Sequence, residues 1–328
     1  MKTEAAVLVE TGKPLVVAEL EVPLLKSGQC LVEISYSGAC HTQLLEARGR
    51  RGEDPWLPHC LGHEASGVVL EVGVDVSRVH AGDRVALSWI KASGIEAGGA
   101  IYNWNGRTVN AGAVTTFQRH AVVSENRLTK LPAELNMREA TLLGCALPTG
   151  LGAVMNVGRP QPGDSVAIFG AGGVGLCAVM GAVVSKCSPV IAIDLIDSKL
   201  EMAAEFGATH IINGRKGNGI EEVMKLCPMG VDLAIEATGR PAVMATALTA
   251  VRAQGGRAIV IGNAPKGQTV VLDPWQFNQG KSLLGTWGGD AKPDRDFPRF
   301  ASFITEKKID VEPLLSKSYL LEEINDAL

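Results

Sequence analysis

The chain of 328 residues lacks the features that would tie it to a membrane, a nucleic acid or an oxidising compartment. No apolar run approaches the ~18 uninterrupted residues that a membrane span requires. The opening MKTEAAVLVE places Lys2 and Glu4 before a strand-like alternation, where a signal peptide would carry an unbroken apolar core. There is no basic run, and a formal charge of −4 offers no electrostatic footprint for nucleic acid or anionic lipid. Cysteine is too sparse for a disulfide framework: Cys30, Cys40, Cys60, Cys145, Cys177, Cys187 and Cys227 are odd in number and scattered. Internal repeats and low-complexity linkers are absent as well. These absences point to a cytoplasmic protein with neither a nucleic-acid nor a membrane partner.

The length suggests about two domains of ~150 residues, and the texture of the sequence changes to match. Up to about residue 145, short β-rich segments are punctuated by glycine: AAVLVE, CLVEISYS, ASGVVLEVG, DRVALSW and RHAVVS. From Gly163 onward, strand, glycine turn, helix and strand alternate through SVAIF, VIAID, THIIN, VDLAIEATG and GRAIVIGN. That alternation predicts a parallel sheet with helices on both faces.

FGAGGVG lies where SVAIF ends and the apolar run LCAVMGAVV begins, which is the context a dinucleotide fingerprint requires. Gly170 would permit the tight turn, Gly172 and Gly173 the approach of a pyrophosphate to backbone, and Gly175 the packing of helix on strand, with Val174 between them. Backbone N–H groups at the helix start would receive the anion. Asp194 ends the next strand at about the ~20-residue offset where an acid accepts hydrogen bonds from ribose hydroxyls and repels a 2′-phosphate, which favours NAD. A glycine turn that binds nothing is the alternative.

A second cluster of chemistry is dispersed. SYSGACHTQLLEARG supplies Cys40, His41 and Thr42, PHCLGHEASG supplies His59, Cys60, His63 and Glu64, and LLGCALPTG supplies Cys145. Two thiolates and an imidazole make a three-ligand zinc set with the fourth position open, the arrangement of a catalytic site. The residues alone leave buried cysteines and a satisfied core histidine as the other reading.

CHT, GHEASGVVLEVG, AGDRV, GC followed by TG, GAGGVG, Asp194 and GRAIVIG follow one another in an order that resembles the zinc-dependent alcohol dehydrogenases of the medium-chain dehydrogenase/reductase family, over essentially the whole chain. The resemblance implies an α/β fold: a GroES-like β-rich catalytic domain (1–146 and 289–328) plus a doubly wound parallel-sheet Rossmann domain (147–288), with zinc and nicotinamide between them. It implies Cys40, His63 and Cys145 as zinc ligands, Glu64 as the adjacent carboxylate, and Thr42 as the hydroxyl that takes the substrate proton. His41 would face the cofactor pyrophosphate and Thr149 the nicotinamide, while Lys199, Thr238 and Arg240 would lie near the adenosine. His59 and Cys60 match nothing catalytic. The implied chemistry is hydride transfer between an alcohol and NAD, with zinc polarising the oxygen. Within the family, Cys145 argues against a polyol or sugar-alcohol dehydrogenase, which usually carries glutamate there. A catalytically silent NAD-binding protein is the remaining alternative.

Four departures qualify the resemblance. Gln43 replaces an aspartate that often supports the zinc histidine, and Leu45 replaces the histidine that often ends the proton relay. The stretch 88–112 has no cysteine, so the structural zinc of many relatives is not expected and one zinc per chain is. A glycine- and asparagine-rich loop is expected in its place. The chain ends at YLLEEINDAL, within a helix and short of the strand that usually follows. Trp89 and Trp56 are candidates for aromatic pocket walls, or simply for core. Strands around TVVLD and SLLGTWGG are expected to pair across a two-fold axis, giving a homodimer or homotetramer.

Overall fold

Short strands, several of them buried along most of their length, build the first part of the chain. The computed structural model describes residues 1–328. In chain order the elements are β1 (Lys2–Leu8), β2 (Val16–Glu21), β3 (Gln29–Ser37), α1 (His41–Ala47), β4 (His59–Cys60), β5 (Glu64–Val72), β6 (Arg84–Ser88), β7 (Ile101–Trp104), β8 (Arg107–Asn110), β9 (His120–Ser124), β10 (Leu128–Lys130) and α2 (Met137–Ala140). Strands β1-β2-β7-β8-β4 close a barrel, and β10-β6-β5-β3-β9 form a five-stranded sheet. Tyr102, Ala5, Val7, Leu20 and Val109 fill the barrel. The buried Tyr102 hydroxyl accepts from the Val122 N–H at 2.8 Å, so the ring is buried without stranding its polar end.

The stretch 88–112 departs from the expected loop. It contains the β7–β8 hairpin, turned by Asn105 and Gly106 at φ 51° and 87°, and this hairpin completes the barrel. Each strand buries only one large side chain, Tyr102 or Val109, which is too short an alternation to read from sequence. Polar side chains tie down the preceding segment. Glu125 Oε1 accepts from the backbone N–H groups of Ser77 (2.7 Å) and Arg78 (2.8 Å), and its Oε2 from that of Ile95 (2.8 Å). Glu96 meets Lys91 at 3.0 Å and Arg127 at 2.6 Å.

The second part runs through α3 (Ala146–Gly152), a π-helical stretch (Ala153–Gly158), β11 (Val166–Phe169), α4 (Gly173–Val184), β12 (Val190–Asp194), α5 (Asp197–Glu205), β13 (His210–Asn213), α6 (Gly219–Leu226), β14 (Leu233–Glu236), α7 (Pro241–Ala250), β15 (Arg257–Val260), α8 (Trp275–Asn278) and β16 (Ser282–Gly285). All six strands are parallel, in the order β13-β12-β11-β14-β15-β16. Strand β11 is buried along its whole length because helices cover both faces. The order reverses direction beside β11, and ligands of such sheets bind at the carboxyl ends of the strands there. Segment 269–273, TVVLD, is expected from its sequence to be a strand and is not; Val271 is 85% exposed. Its alternation is strand-like, but no neighbouring strand within the chain pairs with it. Helices α9 (Pro293–Thr305) and α10 (Ile324–Ala327) complete the chain.

Contacts divide the molecule into Met1–Cys145 with Lys292–Glu306 and Leu314–Leu328, and Ala146–Ala291 with Lys307–Pro313. Ala146 and residues 289–291 thus group with the sheet of parallel strands, as does the short return at 307–313.

Burial pushes the carboxyls of Glu125 and Glu96 up, but their hydrogen bonds and neighbouring cations outweigh it. Glu125 is held below the ordinary glutamate range, and Glu96 is drawn down to about 2. A carboxyl depressed in the folded state stabilises fully above its unfolded pKa, and that contribution is lost as pH falls through the folded one. Unfolding by urea should therefore become easier as pH drops from the ordinary value of 4.5 toward 2. Glu125→Ala should cost about 3 kcal/mol at neutral pH, because it strands buried N–H groups, and it should flatten the acid dependence. Unchanged stability in this variant would show that the segment is held by other means.

Candidate functional site

Three chain segments converge because of strand register. Strand β3 pairs with β5, bringing Ser37 opposite Ala65, and β5 pairs with β6, bringing Glu64 opposite Ser88. The chain leaves β3 through Gly38 and reaches Cys40, whose extended backbone (φ −99°, ψ 149°) starts α1. His63 immediately precedes β5. Cys145 follows the tight turn Thr141–Gly144, whose last carbonyl accepts from Ser88 Oγ at 2.6 Å. Two glycines leave room for Glu64: a Cβ at Gly38 would lie 2.7 Å from its Cδ, and one at Gly144 would lie 2.6 Å from its Cβ.

The ligand atoms of Cys40, His63, Glu64 and Cys145 all lie within 4.8 Å of one another. His63 Nε2 is buried and has no hydrogen-bond partner, a costly state for a polar atom unless something else is bound there. Its other ring nitrogen, Nδ1, meets the side-chain amide of Gln43, whose Oε1 also accepts the Cys40 N–H at 3.2 Å. The neighbouring Cys145 thiol, with His63 and the Thr42 N–H, draws the Cys40 thiol down against its burial, while Cys40 and burial push the Cys145 thiol up. Burial lowers the His63 imidazole, but Cys40 and the charges of Glu64 and Glu46 more than offset it. Two soft sulfurs and a buried imidazole nitrogen without a hydrogen-bond partner fit a zinc ion.

Thr42 is half-buried and His41 exposed in the first turn of α1, and Leu45 is buried on the same helix. Neither His41 nor Thr42 belongs to the four-residue donor cluster.

The glycine fingerprint adopts the geometry its spacing suggests. Gly170 has φ +99°, a conformation that favours glycine. Around Gly172 and Gly173 a Cβ would meet nothing within 4 Å, and at Gly175 it would lie 1.8 Å from the Gly170 carbonyl oxygen. Backbone is thus open where an anion would approach and closed where helix meets strand. Val174 lies half-buried in the first turn of α4. Asp194 ends β12 and accepts from the N–H groups of Ala171 (2.7 Å), Leu195 (2.7 Å) and Ile196 (3.1 Å). Thr238 and Arg240 line the turn after β14, Lys199 is exposed on α5, and Thr149 is half-buried on α3.

Sequence reasoning misses three partners. Glu236, fully buried at the end of β14, accepts the N–H groups of Thr238 at 2.8 Å and Gly239 at 3.0 Å and so fixes that turn. No motif marks it. His59 is paired with Asp54 at 2.8 Å, and the indole N–H of Trp89 reaches the Cys145 sulfur. The second of these joins residues 56 apart in the chain, which local pattern does not encode.

Known proteins share this fold. Residues 26–133 match the alcohol dehydrogenase GroES-like domain, and residues 173–306 match the zinc-binding dehydrogenase domain. The chain is 35% identical to an S-(hydroxymethyl)glutathione dehydrogenase of Synechocystis, covering 100% of this chain and 96% of that protein. Among solved structures, benzyl alcohol dehydrogenase from Acinetobacter calcoaceticus superposes with a TM-score of 0.90 at 27% identity, covering 100% of this chain and 95% of that one. An alcohol dehydrogenase zinc-binding domain protein from Burkholderia ambifaria gives 0.91 at 29% identity with the same coverage. The chain belongs to the zinc-dependent alcohol dehydrogenases of the medium-chain dehydrogenase/reductase family.

Proposed function

We propose that this enzyme oxidises an alcohol, or reduces the corresponding aldehyde or ketone, by hydride exchange with NAD(H). Cys40, His63 and Cys145 hold one catalytic zinc, Glu64 is the carboxylate beside it, and Thr42 starts proton transfer. The observation that carries this reading is the convergence of two sulfurs on a buried, unpartnered His63 Nε2. Bound there, zinc supplies a Lewis acid that polarises the substrate oxygen and lowers the pKa of an alcohol.

The side chains around the donors have separate tasks. Gln43 orients the His63 ring through its Nδ1, as partners of metal-binding histidines do, but as an amide it adds no charge. Thr42, two residues after Cys40, carries a hydroxyl that can both accept and donate a proton. Leu45 cannot pass that proton onward, so ordered water takes it to solvent, and exposed His41 serves the cofactor pyrophosphate.

Asp194 underlies the preference for NAD. Its carboxylate, fixed by three backbone N–H groups, accepts hydrogen bonds from ribose hydroxyls and repels a 2′-phosphate. Gly170, Gly172, Gly173, Val174 and Gly175 form the pyrophosphate turn, with Thr149, Lys199, Thr238 and Arg240 as further cofactor contacts.

No single helix is long and apolar enough to cross a membrane. The free cysteines, five of them buried, suit a reducing cytoplasm. Strand β16 leaves one edge of its sheet unpaired, and Val271, Trp275 and Trp287 are exposed nearby at 85%, 62% and 77%. An open edge beside exposed aromatics supports a homodimer, or a tetramer built from dimers.

Formation of NADH from a panel of alcohols tests the reading. Thr42→Val should lower turnover about 100-fold and leave NAD affinity unchanged, while His41→Gln should chiefly weaken NAD binding. Full alcohol oxidation by Thr42→Val would remove the hydroxyl from the mechanism. For the cofactor, Asp194→Ser should narrow the preference for NAD over NADP by about tenfold, the worth of a charge-assisted hydrogen bond. A native enzyme that already favours NADP would contradict the role given to Asp194.

A further inference from the structure

Trp89 follows β6 directly and touches two members of the donor cluster. Its indole Nε1 donates to Cys145 Sγ at 3.3 Å, and its backbone N–H donates to the His63 carbonyl at 3.1 Å. The indole also meets the His63 ring edge-on, with centroids 6.4 Å apart and an interplanar angle of 69°. Behind it, the Trp89 carbonyl accepts from Arg127 Nη1 at 2.5 Å. Arg127 in turn pairs with Glu96 at 2.6 Å. The polar network that fastens the cysteine-free segment therefore ends on a sulfur of the candidate metal centre.

An indole N–H can only donate, so its partner at this distance must be the sulfur lone pair, whether the sulfur is a thiol or a thiolate. Phenylalanine would fill much of the same space as a pocket wall without reaching the sulfur. The nitrogen is thus the part of Trp89 that a wall does not need.

We propose that Trp89 is a positioning residue that hydrogen-bonds the Cys145 sulfur, fixes its direction and withdraws charge from it, so that the metal held by Cys40, His63 and Cys145 is more electrophilic. Hydrogen bonds to coordinating sulfur tune other metal–thiolate centres in the same sense. Glu96 and Arg127 act one step further out, by holding the Trp89 backbone. This inference rests on the metal site proposed above, and its test separates the two.

The test uses the protein loaded with cobalt(II) in place of zinc. Removing the N–H raises the energy of the sulfur lone pairs, so in Trp89→Phe the sulfur-to-cobalt charge-transfer band should move to longer wavelength. Trp89→Leu should move it in the same direction, because both variants lack the donor although they differ in bulk. Bands at the wild-type wavelength in both variants, with cobalt bound, would reduce Trp89 to a wall and overturn the inference while leaving the metal site intact. A wild-type protein with no sulfur-to-cobalt band would overturn both. The wild-type indole proton of Trp89 gives a readout that needs no variant: it should shift when zinc is added to the metal-free protein, and a resonance indifferent to zinc contradicts the proposal.

Discussion

Burying an imidazole nitrogen without a partner is unfavourable, and the first unit is arranged so that His63 Nε2 is left in that state within 4.8 Å of two cysteine sulfurs. An unmet buried polar atom costs ~1–3 kcal/mol, and a ligand bound there offsets that cost. Everything near it serves the convergence. The β3–β5–β6 register aligns the three segments, Gly38 and Gly144 make room for the Glu64 side chain, and Gln43 holds the other ring nitrogen of His63. A side chain at either glycine would meet Glu64, and a one-residue slip in register would turn the donors to the other face of the sheet.

Relatives with a second zinc stabilise the neighbouring lobe with thiolates, and this chain does so with carboxylates and a hairpin. Glu125 and Glu96 satisfy backbone and cationic groups that would otherwise be buried unpaired, and Tyr102 closes the barrel with its hydroxyl on Val122. Such a lobe depends on pH where a metal lobe depends on the metal. It also joins the stability of the segment to the geometry of the donors, since Arg127 and Trp89 lie on both paths.

What can be read from the amino-acid sequence follows how local each signal is. FGAGGVG is contiguous and its glycines have backbone reasons, so the turn at Gly170 and the tight contact at Gly175 are legible in the residue order alone. Cys40, His63 and Cys145 are far apart in the chain, and among sequence signals only the family resemblance joins them. The β7–β8 hairpin escapes notice because each strand has a single large buried side chain. TVVLD misleads for the opposite reason, alternating like a strand with no partner in the chain. Glu236, Glu125 and the indole of Trp89 act through contacts across strands and turns, which residue type and spacing do not reveal.

Zinc content combined with X-ray absorption at the zinc edge shows whether Cys40, His63 and Cys145 hold a single metal ion. About one zinc per chain is expected, with two sulfur neighbours at about 2.3 Å and the remaining neighbours nitrogen or oxygen at about 2.0–2.2 Å. Replacing Cys145 by serine should abolish that signal. Two zinc ions per chain, a shell of four sulfurs, or a Cys145→Ser protein that keeps its metal would contradict it.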